Sequence, residues 1–255
     1  DQPEFLPTSQ GCDEYVGIPY SNDMWTGLKR GQFPHLPVMR GTKVIDEVKD
    51  MDGQADLCRL FTEEAVKFIE KNKDGPFFAY VPHAFVHGPR KARPEFMAKA
   101  KTVEEAQVEE CDWSAGQILD AVRKAGIEKN TFVLFTSDNG SAREKQGSNL
   151  PLRGRKGRTD EGGMRVPCIV RWPGKIPAGS SSGAITSTLD LLPTLATISG
   201  GKTPSDRIID GKNIWPILNG TTTDHPREAF FYYQMDQLQA VRSGDWKLFV
   251  AMDSK

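Results

Sequence analysis

The chain has no apolar run approaching the ~18 residues that a bilayer span needs, and its mean hydropathy is −0.49. It also lacks a dominant charge. Thirty-three Lys and Arg face 34 Asp and Glu, a net charge of −1, so it carries none of the basic excess of a nucleic-acid binder. Cysteine is scarce. The four (Cys12, Cys58, Cys111, Cys168) are scattered, and none forms a CxxC pair, which argues against a zinc site. Two disulfides could be drawn among them, but no spacing favours either. Cys111, on an apolar helix face, and Cys168, in a strand, read as buried free thiols. There is no GxSxG, no P-loop and no HExxH, no internal repeat and no low-complexity tract. Asp1 is not an initiator methionine and no signal peptide precedes it. The end, DWKLFVAMDSK, reads as a strand cut off before its partners. The chain therefore reads as an internal fragment of something longer.

What is present is enough for a full core: 255 residues fit one large α/β domain, or one domain with a small appendage. Residues 1–45, rich in Pro, Gly and aromatics, read as extended loop. Thr62 is placed to cap a helix through EEAVKFIEKN, with acids in its first turn. Phe77 to Val81 read as a central strand. The clearest helix runs from about Val103 to Ala125. There Cys111, Ala115, Ile118, Leu119 and Val122 line one face, and Gly126 ends it. Thr131 to Thr136 and Cys168 to Trp172 read as strands. A helix over Leu189 to Ile198 stops at Gly200-Gly201, and Ile214 to Leu218 form a short helical turn. Phe230 to Tyr233 and Ala240 to Val250 read as antiparallel strands. Strands alternating with helices predict a largely parallel sheet flanked by helices, and ligands gather at the carboxyl ends of such strands.

Two segments carry candidate chemistry at such ends. TFVLFTSDNG ends on Asp138 and Asn139, two oxygen donors that suit Ca²⁺ or Mg²⁺; Asp-Asn-Gly is equally a strong turn sequence. Eighteen residues after Asp138, Lys156 sits in RGRKGR among Arg153, Arg155 and Arg158. That turn is either a solvated basic loop or an anion clamp with lysine as a point charge. Glu161-Gly162-Gly163 reads as a structural tight turn before a strand. In PHAFVHGP, His87 and His83 compete as proton carriers, against the plainer reading of packed or solvated side chains.

Together these segments resemble the sulfatase family of the alkaline-phosphatase-like superfamily. The matching pieces keep the family's order: FLPTSQGCDEYVGIPYSND, PFFAYVPHAFVHGP, TFVLFTSDNG, LRGRKGRTDEGGMRVPCIVRWPGKI, STLDLLPTLATISG, IDGKNIWPIL and AVRSGDWKL. The nearest look is to arylsulfatases and N-acetylgalactosamine-6-sulfatases, with GSN and SDRIIDG favouring the latter. The resemblance implies an α/β fold with a central, largely parallel mixed sheet. Residues 1–225 would be the central and C-terminal part of the catalytic domain, and 226–255 the start of a small antiparallel subdomain.

The resemblance also assigns roles. Asp138 and Asn139 match the second pair of calcium ligands, and Lys156 the lysine that contacts the sulfate. His87 matches the histidine near the ester oxygen, with a role in protonating or stabilising the leaving group. Ser21, in GIPYSND, matches a serine lining the site, while His83 matches no catalytic position.

The family's nucleophile is a formylglycine made from the cysteine of a C-x-P-x-R motif. No C-x-P-x-R or S-x-P-x-R occurs here, nor the paired N-terminal aspartates, nor the GKWHLG segment. The resemblance thus implies a sulfate-ester hydrolase whose formylglycine lies in a missing N-terminal part, and a chain inactive alone. Its partners would be sulfated small molecules or glycans, with no nucleic acid. Its location would be periplasmic, extracellular or lysosomal. Competing readings are a phosphodiesterase or phosphonate hydrolase of the same superfamily, and a non-catalytic anion- or glycan-binding protein.

Overall fold

The computed structural model describes residues 2–27, 33–142 and 147–250. The chain divides into two compact units, Asp1–Glu128 and Lys129–Lys255.

The first unit pairs a small sheet with two long helices. Strands β1 (Val16–Gly17), β2 (Leu36–Arg40) and β3 (Lys43–Val48) form an antiparallel sheet where residues 1–45 were expected to be extended loop. Leu36, Val38 and Val48 of this sheet are buried with Trp25 and with Leu57 of the following helix. Each such side chain contributes roughly 1.5–3 kcal/mol through removal from water.

Helix α1 (Met51–Asn72) begins twelve residues earlier than expected. Its N-cap is Asp50, whose side chain accepts from the Gly53 N–H at 2.8 Å. Thr62 is no cap. It lies mid-helix and turns its hydroxyl back onto the Cys58 carbonyl at 2.6 Å. A four-residue helix α2 (Pro94–Met97) precedes α3 (Val103–Lys124), which is capped by Thr102 on the Glu105 N–H at 3.1 Å. The α3 face is more polar than its apolar spacing suggested: Gln107, Glu110 and Ser114 are fully buried. Glu110 accepts from the backbone and Nε of Arg93, at 3.0 and 2.7 Å. The Arg93 guanidinium stacks 4.4 Å above the Trp113 ring.

The second unit carries two sheets. Strands β4 (Val133–Thr136) and β5 (Cys168–Arg171) pair antiparallel, with Leu134 opposite Val170. Helix α4 (Glu161–Met164) is a single turn, and α5 (Leu191–Ile198) follows a 3₁₀ turn over Thr188–Asp190. After α6 (Trp215–Leu218), strands β6 (Phe230–Gln234), β7 (Gln237–Ser243) and β8 (Trp246–Phe249) form an antiparallel meander. Ala240 to Val250, expected as one strand, is thus a hairpin. It turns at Gly244, whose φ of 54° favours glycine.

Two expectations change. Every ladder among the described residues is antiparallel, so the largely parallel pairing is not found there. Phe77 to Val81 joins no ladder. Phe77 packs edge-on against Phe68 of α1 at 5.7 Å, while Phe78 and Tyr80 stay 72% and 78% exposed. A strand needs a neighbouring strand as well as apolar residues, and this segment meets helices instead. Cys168 is also exposed rather than buried, while all four cysteines are free thiols.

Candidate functional site

Asp138 stands exposed just beyond the end of β4. No hydrogen bond or ion pair engages its carboxylate among the described residues. Asn139 donates its amide to the Gly140 carbonyl at 2.9 Å, which leaves the amide oxygen available, and the Ser137 hydroxyl fixes the Asn139 carbonyl at 3.0 Å. The pair is therefore two free oxygen donors on a braced turn. Such donors suit a hard cation as part of a six- to eight-oxygen shell. Among the described residues, no cluster of three or more His, Cys, Asp or Glu completes that shell.

The turn bearing Lys156 is laced to this strand end. Gly140 N donates to Gly163 O at 3.1 Å, Lys156 N to Ser141 O at 3.0 Å, and Gly162 N to Arg153 O at 2.7 Å. The Asn149 amide bridges both sides. Its oxygen accepts from Ser141 N at 2.7 Å, and its nitrogen donates to the Ser141 and Gly154 carbonyls at 3.2 and 3.0 Å. The approach at Gly140 is so close that a Cβ there would lie 1.8 Å from the Gly162 oxygen. The structure thus brings the Asp138-Asn139 end and the lysine turn together within one unit.

The charges in that turn are not equivalent. Buried Asp160 accepts from Arg153 Nε at 2.9 Å and Arg158 Nε at 3.0 Å. Burial pushes its pKa up, but the hydrogen bonds from Arg158 and Arg153 outweigh that and hold it below the usual carboxylate range. Lys156, exposed between these arginines, has no ion pair among the described residues. Arg153 and Arg158 remain largely solvated, with side chains 82% and 61% exposed, but each is also paired with Asp160. The lysine remains available to an anion.

Ser21 and His87 belong to the first unit. Ser21 is exposed, next to buried Asn22, whose side chain and carbonyl are tied to Gln54 at 3.2 and 2.8 Å. His87 is exposed in a loop, with Nδ1 2.8 Å from the Gly88 carbonyl. An Nδ1–H donating to that carbonyl leaves Nε2 as the nitrogen that can exchange a proton. His83 is buried. Its Nε2 lies 3.0 Å from the Ser114 hydroxyl, and burial lowers its pKa, which keeps it neutral. His83 is a core residue.

Sequence reasoning missed Asn149 and the full part played by Glu161. Asn149 had a signal in GSN, used only for family likeness. Glu161 was read as part of a tight turn, yet its carboxylate meets three side chains of the C-terminal sheet.

A family model described as Sulfatase matches residues 4–201. The chain belongs to the sulfatase family. A second model, N-sulphoglucosamine sulphohydrolase, C-terminal, matches residues 156–249. N-acetylgalactosamine-6-sulfatase of Mus musculus is 38% identical over 96% of this chain, which spans 49% of that relative's length. Among solved structures, the PsFucS1 sulfatase from Pseudoalteromonas sp. shares 25% identity at a TM-score of 0.86, over 96% of this chain and 55% of that one. Ps i-CgsB in complex with k-i-k-neocarrahexaose shares 29% identity at a TM-score of 0.82, over 100% of this chain and 61% of that one. These sulfatase neighbours bear out the expected α/β fold with its small C-terminal antiparallel sheet.

Proposed function

We propose that this chain supplies the central and C-terminal part of a sulfatase that hydrolyses sulfate esters of carbohydrates. The observation that carries the reading is the unpaired Lys156 ammonium, held on a turn laced to the free oxygen donors of Asp138 and Asn139. A sulfate ester gathers negative charge on its sulfuryl oxygens as the bond to the alcohol breaks. A fixed ammonium in place before the reaction lowers that barrier without reorganisation. Asp138 and Asn139 would hold Ca²⁺, with Mg²⁺ the less suited ion. Calcium would supply further positive charge, and a formylglycine would supply the attacking oxygen. His87, through Nε2, would give the departing alkoxide its proton, and Ser21 would line the substrate side.

Residues 1–255 contain no C-x-P-x-R. On this reading the nucleophile and the first pair of calcium ligands come from sequence outside them, and the chain alone is inactive. Residues 1–225 would then belong to the catalytic domain and 226–255 to the C-terminal subdomain. The names of the relatives support a glycan sulfate as substrate, and the family resemblance implies a periplasmic, extracellular or lysosomal setting. No described helix is long and apolar enough to cross a membrane.

The test is turnover of 4-nitrocatechol sulfate and of sulfated sugars, by this chain and by a protein of the relatives' full length that carries it. The longer protein should be active, and Lys156→Ala or Asp138→Ala should cost it about 10²-fold or more in kcat/KM. The short chain should show nothing above a Lys156→Ala control. A longer protein that prefers phosphate diesters, or that keeps near-normal activity as Asp138→Ala, would overturn the assignment.

A further inference from the structure

The lysine turn is fastened at its far end to the C-terminal sheet, by contacts that the proposed chemistry does not use. Thr159 donates its hydroxyl to Gln239 at 2.9 Å, and its carbonyl accepts from the Lys247 ammonium. Glu161 Oε1 accepts from the Tyr232 hydroxyl at 3.1 Å and from Lys247 Nζ at 2.9 Å. Its Oε2 accepts from Arg242 Nη1 at 2.8 Å. One carboxylate therefore draws on β6, β7 and β8 together. Lys247 also sits 3.5 Å from the centroid of the Tyr232 ring. These groups are largely shielded: the Lys247 and Glu161 side chains are 12% and 23% exposed. Ion pairs in such surroundings are screened less than surface pairs.

Glu161 is unsuited to proton transfer. Burial pushes its pKa up, but Lys247 foremost, then Arg242 and Tyr232, hold it below the usual range. It is ionised and fully engaged. The turn it terminates is bonded internally through Asn149 and Asp160, but Lys156 itself is lightly held. Gly154 and Gly157 flank Lys156 at φ of 90° and 81°, and Lys156 is tied only through its backbone N–H to Ser141. A segment of this kind takes its order from what holds its ends.

We propose that Glu161 is a positioning residue for Lys156: through it the C-terminal sheet sets where the lysine turn stands against the Asp138-Asn139 strand end. The functional half of this statement rests on the reading of Lys156 as the sulfate contact; the structural half does not.

Two measurements separate the halves. In this chain, limited trypsin digestion reads the order of the turn, because Arg155 and Lys156 are exposed cleavage sites. Glu161→Gln keeps an acceptor for Tyr232 but loses both ion pairs. It should speed cleavage at these sites about five- to tenfold, with other sites unchanged. Lys247→Met removes a partner from the sheet side and should do the same, which covers the case of a Glu161 variant that fails to fold. Unchanged cleavage in both variants overturns the fastening.

In the longer protein, Glu161→Gln should lower kcat/KM about tenfold, yet cost nothing further once Lys156 is alanine. A merely structural role would subtract the same factor in both backgrounds, and that result overturns the positioning. If cleavage speeds up while Lys156→Ala leaves activity intact, the fastening stands and the reading of the site falls.

Discussion

Asp190 offers the sharpest stability prediction. It is fully buried at the start of α5. One oxygen accepts from Ser187 N at 2.8 Å, closing a capping box. The other accepts from Lys212 N at 2.8 Å and from the Arg227 guanidinium, which itself is only 10% exposed. Arg227 also donates to the Ile185 carbonyl at 2.8 Å. One carboxylate thus joins STLDLLPTL to IDGKN, and Thr194 adds a bond to Ile214 N at 2.9 Å. Asp190→Asn keeps the shape but points an N–H₂ at one of these donors and leaves a shielded guanidinium without its counter-charge. Removing one partner of a buried pair costs about 3–5 kcal/mol.

Urea unfolding would read that loss through tryptophan fluorescence, since the Trp172 and Trp215 rings pack at a tilt, 5.4 Å apart, in the same unit. With a slope of roughly 1.5 kcal/mol per molar urea, the midpoint should fall by about 2–3 M. Arg227→Met alone should cost less, because the carboxylate keeps both backbone donors. The double variant should fall short of the sum by about 1.5–3 kcal/mol. A loss below about 1 kcal/mol for Asp190→Asn, or strict additivity, would refute the argument.

Three further outcomes are expected. His83 has its folded pKa lowered by burial, so below about pH 6.5 the unfolded chain binds a proton that the folded chain refuses. Stability is full above that pH and falls as pH drops towards the folded pKa, by at most about 1.4 kcal/mol per unit. Denaturation from pH 7.5 to 5 should show this slope, and His83→Gln should remove it. In native protein, a thiol reagent should modify exposed Cys12 first and Cys168, an exposed residue whose thiol is nonetheless partly shielded from water and has its pKa raised, more slowly. It should reach Cys58 only after denaturation, because contact with Cys111 and burial both push that thiol up; early labelling of Cys58 would contradict the packing. Gly140→Ala should cost ~1–3 kcal/mol or more from its clash with the Gly162 oxygen, whereas Gly75→Ala, which meets open space, should be neutral in the same thermal scan.

The legible parts of the sequence were those where local rules act alone. The helix from Val103 was readable because Cys111, Ala115, Ile118, Leu119 and Val122 recur on one face and Gly126 marks its end. Strands β4 and β5 were readable from β-branched and aromatic runs. The misses follow from partners distant in sequence. Thr62 resembles a cap, but the helix had already begun at Asp50, and the hydroxyl instead meets Ser114 at 2.6 Å, 52 residues away. Phe77 to Val81 has strand composition, yet pairing is decided by a neighbour, and composition does not show one. The sheet of β1, β2 and β3 hid among prolines and glycines because its strands are short and only Leu36, Val38 and Val48 face a core. At the site, Asp138, Asn139 and Lys156 stood out only through the family resemblance, since Asp-Asn-Gly is equally a turn sequence and RGRKGR equally a solvated basic loop. Glu161 did not stand out, because an acid beside two glycines reads as a turn until its three partners, 71 to 86 residues on, are known.

The arrangement separates the residues that would meet a ligand from those that hold them. Ser21, His87, Asp138 and Lys156 are all exposed, and little of the packing depends on their side chains. Each is fixed by something beside it: Asn22 tied to Gln54, the His87 N–H on the Ala84 carbonyl at 2.9 Å, the Ser137 hydroxyl on Asn139, and Asn149 with Asp160 around the lysine turn. A side chain already engaged in the fold would have to break those bonds to meet a ligand, losing part of the binding energy. A free side chain on a braced backbone keeps that energy for the moment charge develops. The cost is carried elsewhere, in an uncompensated lysine among three arginines and a carboxylate without a partner. The ion pairs of Asp160 and Glu161 hold the turn that carries that lysine. The pairs that matter most to Lys156 are therefore the ones it does not make itself.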